Sequence, residues 1–221
     1  WEFMERIIAQ TGTPAINLHL LMRAKDMPEI PPDSLAPEHV EQVTDRFIRS
    51  VQPVVDRFGA DRVIVENIPH MGGLGLLAGA SAETVRAVVE ETGAGLLLDI
   101  SHAKLTALRT GQPIEEYLQE LPVEQIREIH VSGIKILEGT ALAGVTAAGW
   151  PHAHRLAGQH MDHQGLTGED FDLVGWVFDK IAQGAWSAPW VVSLECGGVG
   201  PIFQALTRDE DLARDIPRLA Q

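Results

Sequence analysis

The chain has 221 residues, of which 45% are hydrophobic, and a formal net charge of −14 at pH 7. This length and composition predict a single domain over residues 1–221 with a substantial buried core. The acidic charge argues against a nucleic-acid partner, because phosphate binding requires clustered Lys and Arg, and it instead favours metal cations.

Cysteine content and hydropathy indicate the compartment. Cys196 is the only cysteine, so an intrachain disulfide is excluded and a reducing environment is favoured. No apolar stretch approaches the ~20 residues that cross a membrane. The opening WEFMERIIAQ lacks the layout of a signal peptide. These features predict a cytoplasmic protein without a membrane partner.

The first half of the chain alternates helical and strand patterns. A helix is predicted before Gly12, then a strand at PAINLHL. After a proline-rich connection, a long amphipathic helix is predicted over residues 37–59. The strand RVIVEN, a glycine-rich turn at MGGLGLLAG and a helix beginning at Ser81 follow. The turn lacks the spacing of a phosphate or dinucleotide site, so it is interpreted as a flexible connection.

The second half continues the alternation. The strand GLLLDI, helices within AKLTALRT and PIEEYLQEL, and the strand IREIHVSG are predicted in turn. Residues 133–161 are interpreted as a long irregular stretch and a candidate lid. A weak strand at MDHQ, a helix after Thr167 with a capping box to Asp170, the strand WVVSLE and a final helix over residues 209–219 complete the chain.

Six strands alternating with helices predict an α/β fold with a parallel sheet. A closed eight-unit barrel takes ~250 residues. We therefore expect a TIM (β/α)8-type barrel that lacks its first one or two βα units in this chain. The edge beside PAINLHL would be covered by a preceding segment or by a contact between subunits of a homo-oligomer.

Side chains able to bind a metal recur at nearly one interval. Glu66, Asp99, His130, Asp162 and Glu195 are separated by 33, 31, 32 and 33 residues. Four of them close apolar, strand-like runs, and in a barrel of this type the strand ends converge on one face. The alternative, that acidic residues follow strands because strands end at the surface, explains neither the histidine nor the regular step.

Three histidines extend this set, because His19 closes PAINLHL, His102 follows Asp99 and His163 is adjacent to Asp162. The candidate metal ligands are therefore His19, Glu66, Asp99, His102, His130, Asp162, His163 and Glu195. One hexacoordinate ion cannot use eight protein ligands and leave room for substrate, so more than one metal is inferred. Carboxylate and imidazole ligands without thiolate suit Fe, Mn or Zn.

Other candidate residues are assigned to structure. His70 is expected in a loop hydrogen bond and His39 at the surface. Cys196 is interpreted as a buried small residue, with a reactive thiol as the alternative. Three further histidines fall in the long irregular stretch, where solvent exposure is the default: His152, His154 and His160.

Five segments in order carry a family resemblance: VIVENIPH, TGAGLLLDISHA, LPVEQIREIHVSG, MDHQG and VVSLECGG. They resemble the multinuclear non-heme iron-dependent oxidases, the family that includes the iron enzyme of methanobactin biosynthesis. The resemblance runs from INLHL to Glu195. It implies a xylose-isomerase-like barrel with two or three irons, and a peptide substrate that is often modified at cysteine. It also implies O2 as the oxidant and a partner protein that presents the peptide.

Carried over position by position, the resemblance implies that all eight candidates are metal ligands, with Glu66, His130 and Glu195 catalytic. Two departures from the family pattern stand out. A further His that follows an earlier strand in the family is absent. Glu195 is followed by Cys-Gly-Gly, where the family commonly has Glu-x-Asp.

The leading hypothesis is an iron-dependent oxidase or oxygenase of a peptide or small thiol. The first alternative is a sugar isomerase or epimerase of the same superfamily, with one divalent ion on Glu66, Asp99, His130 and Glu195. The second is a non-catalytic scaffold that binds peptides. The number of metal ions per chain distinguishes the three.

Overall fold

The computed structural model describes residues 1–70, 75–149, 153–197 and 201–220. Its helices and strands follow in chain order: α1 (Glu2–Thr11), β1 (Ile16–His19), α2 (Pro37–Phe58), β2 (Val63–Glu66), α3 (Ala82–Thr92), β3 (Gly95–Asp99), α4 (Ile100–Thr110), α5 (Ile114–Glu120), β4 (Ile126–Val131), β5 (Gly133–Ile136), α6 (Gly139–Ala147), β6 (His160–Gln164), α7 (Gly168–Ala182), β7 (Val191–Leu194), α8 (Pro201–Leu206) and α9 (Asp209–Leu219).

Five parallel strands form the main sheet in the order β1-β2-β3-β4-β7. Its register sets His19 beside Glu66 and Asp99 beside His130. The carboxyl ends of all five strands therefore lie along one edge of the sheet. The predicted α/β class is confirmed. Within the described residues, β1 and β7 stand at the two sides of an open sheet.

The central strands are covered on both faces. Every residue of β2 and β3 is buried, which explains why they read as continuous apolar runs rather than alternating ones. Val43 and Phe47 of the amphipathic helix α2 pack in one hydrophobic core with these strands, and Val85 of α3 is fully buried in it. This rigid core holds the strand ends in fixed relative positions.

Residues 133–161 are not the irregular stretch that the sequence suggested. They contain β5 and α6, and β5 pairs with β6 in an antiparallel two-stranded sheet. A second, smaller core lies under this ribbon and consists of Leu137, Val145, Ala153, Met161 and Leu206. The short strand and the glycine-containing helix have weak sequence periodicity, and tertiary packing decides their conformation. The MDHQ strand consequently lies outside the parallel sheet in which it was expected.

Helix boundaries agree with most capping signals. Ser81 caps α3, and Thr167 and Asp170 form the predicted capping box of α7. One boundary was wrong: GLLLDI was read as a strand through Ile100, but β3 ends at Asp99 and α4 begins at once. The Asp99 side chain caps α4 by accepting a hydrogen bond from the His102 N–H at 2.8 Å. This sharp turn brings His102 to the end of the sheet.

The described part of the chain includes no helix with the length and apolar character needed to cross a membrane.

Candidate metal centre

Four strands contribute to one group of potential metal ligands, here called the first group. It consists of Glu66, Asp99, His130 and Glu195, and one ligand atom from each lies within 4.8 Å of the others. The Glu195 N–H donates to the Val131 carbonyl at 2.8 Å, which extends the β4–β7 pairing to this residue. Four of the five residues at the regular sequence interval thus form one cluster at the carboxyl edge of the sheet, and the fifth, Asp162, does not belong to it.

A second group consists of His102, Asp162 and His163, whose ligand atoms also lie within 4.8 Å of one another. His102 comes from the first turn of α4, whereas Asp162 and His163 come from β6. His102 Nε2 lies 3.0 Å from Asp162 Oδ2. The antiparallel β5–β6 ribbon therefore supplies ligands that the parallel sheet does not.

The two groups are contiguous. His102 Nδ1 lies 3.3 Å from Glu66 Oε1 and 3.6 Å from Asp99 Oδ2. His19, the eighth predicted ligand, lies outside both groups, with its Nε2 atom 3.1 Å from Glu66 Oε2 and its side chain 64% exposed. The structure therefore brings seven of the eight candidates into two adjoining groups and leaves His19 at their rim.

The Asp99 carboxylate is held by one oxygen. Oδ1 accepts hydrogen bonds from Ser101 Oγ at 2.6 Å and from the His102 N–H at 2.8 Å. Ser101 Oγ is in turn 2.8 Å from Ser132 Oγ. Oδ2 is buried and has no hydrogen-bond partner. The Asp99 carboxylate is thus fixed through Oδ1, and its Oδ2 atom lies in the first group without a hydrogen-bond partner.

Asn67 fixes the spacing between the groups. Its amide exchanges two hydrogen bonds with the backbone of Asp99, each at 2.9 Å. The backbone carbonyl oxygen of Asn67 lies 2.9 Å from His102 Nδ1. Because a carbonyl only accepts, Nδ1 must carry the hydrogen, and Nε2 is then the atom available to a metal beside Asp162.

His130 is oriented in a similar way. Its Nε2 atom lies 3.1 Å from Glu128 Oε1, so the carboxylate accepts from Nε2–H. Nδ1 lies 3.2 Å from Glu195 Oε2 and 3.9 Å from Glu66 Oε1, but it is buried and makes no hydrogen bond. The imidazole therefore presents Nδ1 to the carboxylates of the first group.

His163 has an unusual backbone conformation, with φ at 57° in the left-handed region. Its N–H donates to Ser132 Oγ at 3.1 Å, and its ring packs 5.0 Å from that of Phe203. Nδ1 is buried without a hydrogen-bond partner. Such strain is uncommon outside glycine and occurs where a side chain must take one direction.

Both groups therefore include buried ligand atoms that no hydrogen bond satisfies: Asp99 Oδ2, His130 Nδ1 and His163 Nδ1. Leaving such an atom unpaired costs roughly 1–3 kcal/mol. Cations bound at the two groups would satisfy these atoms, and the mixed carboxylate and imidazole set without thiolate fits Fe, Mn or Zn. The residues present fit a metal centre.

The charges within the site are strongly coupled. Burial lowers the pKa of His102, but the charges of Asp99 and Asp162 outweigh it and raise that pKa to about 10. His130 behaves alike: burial lowers its pKa, and Glu195 and Glu66 raise it to about 9. At neutral pH both rings are protonated and balance the carboxylates. A divalent cation would take over this role and release the protons.

The carboxylates respond in two ways. The His130 ring, whose Nδ1 atom lies 3.2 Å from Oε2, lowers the pKa of Glu195, and burial raises the pKa of Asp99. For Glu66 and Asp162, burial alone would raise the pKa, but hydrogen bonds and charges from neighbouring histidines bring it below the ordinary value. Three of the four carboxylates thus favour the charged form that binds cations.

Sequence reasoning missed the residues that orient the ligands, Asn67, Ser101, Ser132 and Glu128. One signal was available: Glu128 lies two positions before His130, on the same face of β4. The other three act through contacts between residues 31 to 35 positions apart, which no local pattern reveals.

The other histidines lie outside both groups. His70 Nε2 is 3.0 Å from Asp33 Oδ1, and His39 is hydrogen-bonded to Ser34 at 2.7 Å. His160 is exposed at the start of β6, and His152 lies outside the described residues. Burial raises the pKa of the Cys196 thiol, which does not favour a reactive thiolate.

We expect Asn67→Ala to lower metal affinity by about 10–100-fold, because Asp99 loses the side-chain amide that holds its backbone in place. The buried N–H and C=O of Asp99 would also lose their hydrogen bonds, so the free energy of unfolding should fall by about 1–3 kcal/mol. Chelator competition and urea titration measure the two effects. Unchanged metal affinity in a folded variant would show that Asn67 does not position this ligand.

Curated relatives come from several bacteria. A UPF0276 protein of Paraburkholderia phytofirmans is 34% identical over 96 residues, which cover 43% of this chain and 27% of the relative. A UPF0276 protein of Pseudomonas aeruginosa is 33% identical over 129 residues, 57% of this chain and 43% of the relative. One from Caulobacter sp. strain K31 is 30% identical over 129 residues, 55% and 44% of the two chains. The chain matches less than half the length of each of these relatives.

A family model described as RiPP precursor modification enzyme MbnB/TglH/ChrH matches residues 2–165. RiPPs are ribosomally synthesised and post-translationally modified peptides. The matched range includes the second group and three members of the first, and it ends before Glu195. This match confirms the resemblance found in the sequence, and the chain belongs to the family of RiPP precursor modification enzymes MbnB/TglH/ChrH.

Proposed function

We propose that this chain forms the metal centre of an enzyme that oxidises a peptide, or a small thiol, with two or three iron ions. The observation that carries the proposal is the pair of adjoining ligand groups at the carboxyl edge of the sheet. Membership in a family of peptide-modifying enzymes supports a peptide substrate. A partner protein that presents the peptide remains part of the hypothesis.

The two groups offer different sets of ligands to a metal. The first group offers three carboxylates and one imidazole, and the second offers one carboxylate and two imidazoles. Iron bound there would supply one-electron redox chemistry with O2, and Mn or Zn are alternatives for the same ligands. Glu66 is anchored because Asn17 Nδ2 donates to its Oε2 atom at 2.8 Å, with His19 3.1 Å away.

Glu195 is suited to proton transfer with the substrate. Its side chain is 37% exposed, whereas that of Glu66 is 3% exposed, so Glu195 faces the accessible side of the first group. Its lowered pKa keeps it ionised at neutral pH, as a base requires. His130, held by Glu128, lies beside Glu195, and its ring would stabilise the charge of that carboxylate. Glu66 would act as the fixed, charged member of the catalytic set.

The proposed scaffold is a xylose-isomerase-like (β/α)8 barrel, of which this chain supplies the parallel strands that carry the ligands. Five parallel strands, four of which end at or beside a member of the first group, support that architecture. A structure of the protein at the full length of its relatives tests it. A closed eight-stranded sheet is expected, and an open sheet there would refute the proposal.

The decisive experiment is elemental analysis of anaerobically purified protein, with the metal content expressed per chain. More than one iron per chain supports the oxidase. One Mn or Co per chain would support the isomerase, and a metal-free folded protein would support the scaffold. Oxygen uptake with a cysteine-containing peptide, followed by mass spectrometry of the peptide, tests the reaction itself.

His163→Ala separates the multinuclear centre from a mononuclear one. The variant should lose about one metal ion per chain and retain the first, because His163 belongs to the second group only. His39→Ala is the control, since His39 is hydrogen-bonded to Ser34 and belongs to neither ligand group. Full metal content and unchanged activity in His163→Ala would favour a mononuclear centre and, with it, the isomerase.

A further inference from the structure

Two carboxylates of the C-terminal helix are buried without belonging to either ligand group. Asp211 and Asp215 in α9 are 4% and 0% exposed. The helix lies beyond residue 165, where the family match ends. Burial of charged side chains requires specific partners, so these two residues must serve a defined contact.

The partner of Asp215 is the chain directly after β6. Asp215 Oδ2 accepts a hydrogen bond from the Leu166 N–H at 2.8 Å, and Oδ1 accepts from Arg214 Nε at 2.6 Å. Arg214 Nη2 donates to the Leu166 carbonyl at 3.0 Å. Both backbone polar groups of Leu166 are therefore held by two adjacent residues of α9.

Asp211 completes the contact. Arg214 Nη1 lies 2.9 Å from its Oδ1 atom, and Lys135 Nζ of β5 lies 3.4 Å from Oδ2. The approach to the chain is close, because a Cβ atom added at Gly165 would lie 2.2 Å from Asp211 Cγ. We call Asp211, Arg214 and Asp215 the α9 clasp.

The clasp contacts the chain at Gly165 and Leu166, two and three residues after His163, whose backbone is strained at φ 57°. The Gly197 N–H donates to the His163 carbonyl at 2.9 Å, which adds a restraint from the segment after β7. A strained conformation persists only where its surroundings determine it. The direction of the His163 ring into the second group thus depends on both ends of this short segment being held.

We propose that Arg214 and Asp215 are positioning residues for the second metal position. They fix the chain after β6 and so hold Asp162 and His163 toward His102. The inference rests on the proposed function, because it assigns these two residues to one of its metal positions. It also gives the C-terminal helix a role that the family match does not cover.

The test uses Co(II) alone, added to metal-free protein under anaerobic conditions and followed by visible absorption and elemental analysis. Wild-type protein should bind two Co(II) per chain. Asp215→Asn and Arg214→Lys should keep one tightly bound ion and bind the second about 10–100-fold more weakly. Arg208→Ala is the matched control, because Arg208 is at the N-cap position of the same helix and its exposed side chain pairs with Glu210. It should behave as wild type.

Hydrogen exchange of the metal-free protein provides a second readout. The Leu166 amide and its neighbours in β6 should exchange faster in both clasp variants and not in Arg208→Ala. Unchanged exchange together with unchanged affinity for the second ion would overturn the proposal. Equal weakening of both ions, or loss of folding in both variants, would also overturn it, because the clasp would then support the whole fold.

The outcome also separates this inference from the proposed function. If wild-type protein binds no more than one ion, the multinuclear centre itself fails. If it binds two ions and the clasp variants bind both normally, only the role of α9 is refuted.

Discussion

Replacing Glu66 by Gln is expected to lower affinity for the first metal ion by well over 100-fold. Loss of an outer partner of a ligand already reduces affinity by about 10–100-fold, and Glu66 is proposed to be a ligand itself. Its Oε1 atom lies 3.3 Å from His102 Nδ1 and 3.9 Å from His130 Nδ1, so it stands between the two groups. The variant should therefore weaken both metal positions.

Metal content per chain and competition with a chelator measure this effect. Glu41→Gln is the control, because Glu41 is exposed on α2, away from the strand ends. Far-UV circular dichroism checks that the variant folds. A folded Glu66→Gln protein with wild-type metal content would refute the assignment of Glu66 as a ligand.

Removal of the metal should lower the melting temperature by about 5–10 °C. A ligand present at 100 times its dissociation constant stabilises the folded state by about 2.7 kcal/mol. For domains of 150–250 residues, each kcal/mol shifts the melting temperature by roughly 2–4 °C. The site makes this shift plausible, since Asp99 Oδ2, His130 Nδ1 and His163 Nδ1 have no hydrogen-bond partner to replace the ion.

Calorimetry of iron-loaded protein before and after chelation provides the measurement. The shift should be smaller for Glu66→Gln, which starts with less metal, and restoration of Fe(II) should reverse it. A melting temperature that does not respond to chelation would show that no ion contributes to the folded state.

The first group could be predicted because its residues follow strands that recur at a regular interval in the sequence. Strands of a parallel sheet end along one edge, and steps of 33 and 31 residues place Glu66, Asp99 and His130 at those ends, with Glu195 two such steps after His130. The structure brings these four together at the carboxyl edge. The capping signals at Ser81 and Thr167 were equally readable, since they depend on residues within one helical turn.

The structure of residues 133–161 could not be predicted from local sequence patterns. The sequence indicated an irregular lid, but β5 and α6 form there because Leu137, Val145 and Met161 share a small core. That core joins residues from four separate segments. The antiparallel β5–β6 pairing, which delivers Asp162 and His163, follows from it and could not be inferred from the weak MDHQ pattern.

What the sequence alone determined was the set of strand ends and the ligands attached to them, because hydrophobic periodicity and chain direction are local properties. Only the tertiary structure decided that His19 stands outside both groups, that Asn67 orients Asp99 and His102, and that α9 grips the chain after β6. These outcomes depend on the directions of side chains that meet from distant segments, and such directions are set by packing.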